Sequence, residues 1–155
     1  MTPLAWLGLL ARDAGATLVV TIGFALLFAV PRRYLLGSAL AGVLGHVGRT
    51  VAVERGVPLE LATLIGATTI GVVSALLARR MRVPMSLFSM SAMIALVPGT
   101  FAYRTMLALI ALVSTPSPPV SLATDALVLG TRTAFVVAAI AVGVVSPSLF
   151  LDRAR

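Results

Sequence analysis

The chain has 155 residues, 59% of them hydrophobic and only 11% charged, with a mean hydropathy of +1.08. A soluble domain carries about a quarter of its residues as charges, so this composition excludes a water-soluble globule and indicates one membrane-embedded domain over residues 1–155. Cysteine is absent, which excludes disulfides and thiolate sites. The net charge of +7 sits in short arginine clusters between apolar runs, not in the aromatic-interleaved patch that nucleic-acid binding needs.

The N-terminal stretch has no basic leader, and Arg12 and Asp13 interrupt its apolar run where the hydrophobic region of a signal peptide would lie. No cleavage is therefore expected. A bilayer core about 30 Å thick calls for about 20 mostly apolar residues per spanning helix. Five stretches qualify: residues 15–30, 35–53, 59–78, 85–113 and 121–151. Turn chemistry separates them, at Pro31-Arg32-Arg33, at Glu54 to Pro58, at Arg79 to Pro84 and at Ser114 to Pro119. Proline cannot continue a helix and biases the preceding residue toward extended backbone. The expected fold is thus all-α, a bundle of about five transmembrane helices.

The second stretch carries His46 and Arg49, so whether it crosses fully is tested by the arginine distribution. With five spans, Arg32, Arg33, Arg79, Arg80, Arg82, Arg153 and Arg155 share one side, against Arg12 and Arg55 on the other. Without that crossing the division is six against four. The positive-inside rule favours five spans, with the N-terminus outside and the C-terminus in the cytoplasm. The same stretch bears Gly37, Ala41, Gly45 and Gly48 at helical spacing, with Gly42 beside them. Such a stripe admits close helix contact, although glycine is also simply common in transmembrane helices.

The fourth stretch, as one helix, would run about 43 Å at 1.5 Å per residue, too long for a plain span. Pro98-Gly99 divides it near its middle. Either it is a kinked helix or two half-helices meet inside the membrane. In the second case the half-helix after the break offers free N–H groups and a positive dipole end. Tyr103 and Arg104 lie in its first turns and add a hydroxyl donor and a carboxylate clamp. Broken helices of this kind bind anionic groups in secondary transporters.

Charges inside a membrane cost about 2.5–3.5 kcal/mol each on insertion scales, so His46, Arg49, Arg104, Asp125 and Arg132 each need a reason. His46 and Arg49 are three apart and share a helix face. Two readings stand for each: a pathway role, or for Arg49 snorkelling to the interface and for His46 a bond to a backbone carbonyl. Asp125 and Arg132 are separated by about 10 Å along one helix and cannot pair directly. Asp125 also fits the outer headgroup region. With arginine dominating these positions, a small anionic solute such as a carboxylate is the favoured cargo. His46 has no acidic neighbour on its own helix, so no metal or other cofactor is indicated, and no pattern of catalytic residues points to an enzyme.

The order Asp13, Gly23-Phe24-Ala25, Phe28 and Pro31, then Gly45-His46 with Arg49, then Pro98-Gly99 with Tyr103 resembles the YjjB-like small subunit of the threonine/serine exporter (ThrE) superfamily. The resemblance implies an inner-membrane exporter subunit working with a YjjP-like partner. It further implies export of a succinate-like dicarboxylate or of threonine and serine, with His46, Arg49, Pro98, Gly99 and Tyr103 at family-motif positions. Arg104 fits a Tyr-Arg form found in some members. Two other readings remain at this point, a non-transporting scaffold subunit and a small homo-oligomeric channel.

Overall fold

A computed structural model describes residues 3–152 as seven short and long helical elements with no strand among them. Arg153 and Arg155, which contribute to the arginine distribution, lie outside the described residues. In chain order the α-helices are α1 (Pro3–Leu27), α2 (Leu35–Glu54), α3 (Leu59–Met81), α4 (Ser86–Ile94), α5 (Gly99–Ser114) and α6 (Val120–Asp152). A 3₁₀ turn, Arg32–Tyr34, joins α1 to α2. Helices α1, α2, α3 and α6 are each long and apolar enough to cross a membrane, and α4 with α5 forms a pair, bent by 58° at a short break, with the length and composition of either a fifth, broken crossing or a re-entrant loop.

The first helix begins well before the expected residue 15, because Arg12 and Asp13 lie inside it instead of preceding it. Neither residue type breaks a helix, and Asp13 is held by partners on α2, described below. Helix α3 ends at Arg82, whose left-handed backbone (φ 55°) closes the last turn while the Val83 N–H reaches the Ala78 carbonyl. The break follows the sequence expectation. Helix α4 stops at Ile94, the Leu96 and Val97 amides fold back to Met93 and Ile94, and α5 restarts at Gly99. Pro98 has no N–H to continue the ladder.

Helix α3 is the centre of the packing and small residues set how close its neighbours come. A Cβ added to Gly66 would lie 2.6 Å from the Gly45 carbonyl oxygen, so α2 and α3 cross backbone against backbone. On the other side of α3, a Cβ at Gly71 would lie 2.6 Å from the Val144 carbonyl oxygen, and Gly143 abuts Ala67 equally closely. Packing of this kind, rather than the hydrophobic effect, associates helices in lipid. The glycine stripe of α2 therefore does serve contact: Gly37 meets Phe88, Gly42 meets Thr21 and Gly45 meets Ile70, whereas Gly48 faces more open space.

Two apolar clusters anchor the bundle. One joins Ala41, Ala67, Ile70, Leu96, Val136 and Ile140 through its middle. The other joins Ala25, Val30, Tyr34, Ala78 and Phe88, with Tyr34 and Phe88 edge to face at 5.8 Å. This second cluster gathers the α1–α2 and α3–α4 connections, so Arg32, Arg33, Arg79, Arg80 and Arg82 lie at one end of the bundle. Helix α5 is different: it has no buried residue, and its main packing among the described residues is against α6. Thr105 and Thr133 join the two helices through their hydroxyls at 3.2 Å.

Candidate functional site

Three polar side chains of α2 face two different neighbours. Gly42, His46 and Thr50 follow one another at four-residue spacing, which puts them on one face, and that face meets α1. Gly42 packs on Thr21. His46 Nε2 lies 3.2 Å from Asp13 Oδ1, and the Thr50 hydroxyl donates to Asp13 Oδ2 at 2.6 Å. Both carboxylate oxygens are thus engaged from α2, with Asp13 and His46 only 25% and 21% exposed. His46 Nδ1 is buried and has no partner among the described residues.

Arg49, about 60° round α2 from His46, reaches toward α3 and α4 instead of α1. Its base packs on Gly66, and its guanidinium donates to the Leu96 carbonyl at 3.0 Å. That carbonyl is free because the break at Pro98 removes the helical amides that would have met it. The arginine therefore supplies the missing donor, and a positive charge at the C-terminal end of α4 also suits the helix dipole. The geometry gives Arg49 a protein partner inside the bundle, and snorkelling is not needed to explain it. Asp13 is within coulombic reach of Arg49, so acid, imidazole and guanidinium form one charge cluster beside the break.

The other sequence-derived candidates gather elsewhere. Tyr103 is 64% exposed and Arg104 is exposed as well. Arg104 shares an open groove of about 440 Å³ between α5 and α6 with Leu107, Leu122 and Asp125. Arg132 Nε sits 3.9 Å from Glu60 Oε1 at the start of α3, with Arg132 58% exposed. Pro98 is buried at the break, while Gly99 has open space around its Cα. The candidates thus fall into two groups, His46 and Arg49 inside the α1–α2–α4 packing, and Tyr103, Arg104 and Asp125 on the hairpin. Among the described residues no group of three or more potential ligands could hold a metal ion.

Asp13 was missed as a site residue. Its signal was available: a carboxylate within an apolar run carries the same membrane cost as His46. Reading it as the edge of the first span, and searching for the histidine's acidic partner only on its own helix, hid the pair.

Residues 13–150 match the family model described as threonine/serine exporter, ThrE. A protein of Haemophilus influenzae, described only as uncharacterised, is 33% identical over 92 residues, which are 59% of this chain and 31% of that one. The chain therefore matches less than a third of that relative's length. No solved structure matches it.

Proposed function

We propose that this chain, which belongs to the threonine/serine exporter (ThrE) family, is one subunit of an exporter in the bacterial inner membrane and works with a second, YjjP-like membrane subunit. It is a multi-pass membrane protein of a transporter family. The finer reading rests on one observation above others: a chain broken at Leu96–Gly99, with the Asp13–His46–Arg49 cluster beside the break and Arg104 in the second turn of the helix that restarts there, facing a groove shared with Asp125. Broken helices beside intramembrane charges are where secondary transporters hold small charged solutes.

The partner assignments of the arginines bear on the cargo. Arg49 is taken by the Leu96 carbonyl and Arg132 by Glu60. That leaves Arg104 with Asp125 in the hairpin groove, one positive and one negative lining charge. An arginine suits a carboxylate and an aspartate suits an ammonium group, so a zwitterion such as threonine or serine fits better than a succinate-like dianion. The arginine excess in the sequence pointed to an anion, and the pairing seen in the fold narrows that preference. Partner association is supported by α5, which buries nothing in this chain, and by the much greater length of the matched relative. The orientation follows from the arginine-rich end, which belongs in the cytoplasm.

The test is substitution at the break and the groove in a complex shown to be inserted. Arg104→Ala and Pro98→Ala are each expected to lower solute efflux at least about tenfold. Efflux at the unsubstituted rate in both variants refutes a site on this chain and favours a scaffold role.

A further inference from the structure

We infer that Asp13, His46 and Thr50 form a proton-binding site at membrane depth, filled from the end of the bundle that carries Arg12 and Glu54. The inference deepens the exporter reading, since the proton is assigned there as the coupling ion. The site itself stands on three independent observations.

The first is the pair. An imidazole and a carboxylate 3.2 Å apart inside a membrane bundle are expensive to keep. Histidine is also the side chain whose ordinary titration falls between pH 5 and 8. The second is the unused nitrogen. His46 spends Nε2 on Asp13 and leaves Nδ1 buried without a partner among the described residues. A histidine with a purely structural role normally satisfies both nitrogens. With Nε2 donating to Asp13, Nδ1 is the nitrogen that holds the lone pair for an added proton. The imidazolium so formed is stabilised by the Asp13 carboxylate, and its new N–H lacks an acceptor in this arrangement. Proton uptake is thus tied to a rearrangement that brings one, a water molecule or a solute carboxylate.

The third observation is access. A groove of about 640 Å³ runs between α1 and α2 from Arg12 and Glu54 to Asp13 and Thr50. Ala5 and Gly8 line it, and Gly8 has nothing within 4 Å of where a side chain would start. Small residues keep the entrance wide, and its mouth lies at the end opposite the arginine-rich loops.

The charged surroundings are few. From α1 the site faces Arg12 and Asp13, and from α2 it faces Arg49 and Glu54. Helix α4 has no titratable side chain, and Glu60 at the start of α3 is engaged by Arg132 of α6. With His46 neutral, Asp13 and Arg49 balance; a proton on His46 leaves the cluster with one net positive charge. Arg49 holds the Leu96 carbonyl at the break, so the change in charge acts next to the joint between α4 and α5.

His46 is the single histidine in the chain, so a ¹⁵N-histidine label reports this imidazole alone. In nanodiscs, its spectrum is expected to pass from the neutral to the doubly protonated form between about pH 8 and pH 5. Asp13→Asn should displace that transition, and Glu60→Gln should not. Should Asp13→Asn fail to insert, Thr50→Val removes only the hydroxyl on the same carboxylate and gives the same comparison. A ring whose protonation is constant over this range, or a transition indifferent to Asp13 and Thr50, overturns the site. In the transporting complex, His46→Gln is expected to lose at least about tenfold of pH-gradient-driven efflux. Undiminished gradient-driven efflux overturns the coupling role. A titrating imidazole in a complex that moves no solute leaves the proton site intact and refutes the exporter reading instead.

Discussion

At the α1–α2 interface the intramembrane charges touch one another, whereas on the α5–α6 hairpin Arg104 and Asp125 line a groove without being bonded together. The surrounding packing differs in the same way. Around the first group lie fully buried residues such as Thr21, Ile70 and Leu96, and along α5 nothing is buried. Polar groups in lipid must be satisfied. The inner cluster does this largely within the chain, through the Asp13–His46 and Asp13–Thr50 contacts and the Arg49 bond to Leu96, and leaves only His46 Nδ1 without a partner among the described residues of that cluster. The hairpin leaves its charges to something else, either a solute or the helices of a second subunit.

The largest effect that would break this contrast is at the crossing that makes the inner region rigid. Gly66→Leu drives a side chain into the Gly45 carbonyl and should cost about 3 kcal/mol or more, the upper end of overpacking. Size-exclusion profiles after a heat challenge should show loss of the monodisperse protein. Next comes the cargo side of the comparison. Asp125→Asn removes a charge-assisted bond worth about 1.5–3 kcal/mol, so competition between threonine and succinate for efflux should move about tenfold toward succinate. An unchanged preference would detach Asp125 from the solute.

A double comparison of arginines sharpens the distinction. Arg49→Leu leaves the Leu96 carbonyl without a donor and should destabilise the folded protein by about 1–3 kcal/mol. Arg104→Leu, on an exposed face, should leave the detergent melting temperature of the chain unchanged while abolishing efflux. Equal melting losses for both would erase the difference between the regions. The smallest effect is expected at Arg132→Gln. Its contact with Glu60 is long and half exposed, so thermal stability should fall by less than about 1 kcal/mol.

Much of the architecture was legible in the sequence, and the reasons are specific. Proline-bounded apolar runs fixed four crossings because lipid demands continuous helices of a given length. The break was legible because Pro98 removes an amide in a run too long for one span. The stripe from Gly37 to Gly45 was legible as a contact, although its partners, Phe88, Thr21 and Ile70, depend on which helices meet and are not encoded locally. Pairings across helices were the hidden part. Asp13 and His46 are 33 positions apart, and the Leu96 carbonyl that binds Arg49 carries no side-chain signal at all. The separation of Arg104 from Arg49 also follows from the 58° bend, an angle that proline permits without determining.

The most direct test of the two-subunit account is efflux from cells lacking their own exporters, expressing this chain alone or with a candidate YjjP-like subunit. Labelled threonine, serine and succinate are followed with both proteins verified in the membrane. The account predicts efflux only when both chains are present, with threonine and serine preferred. Equal efflux from this chain alone would contradict it and establish a self-sufficient carrier or channel.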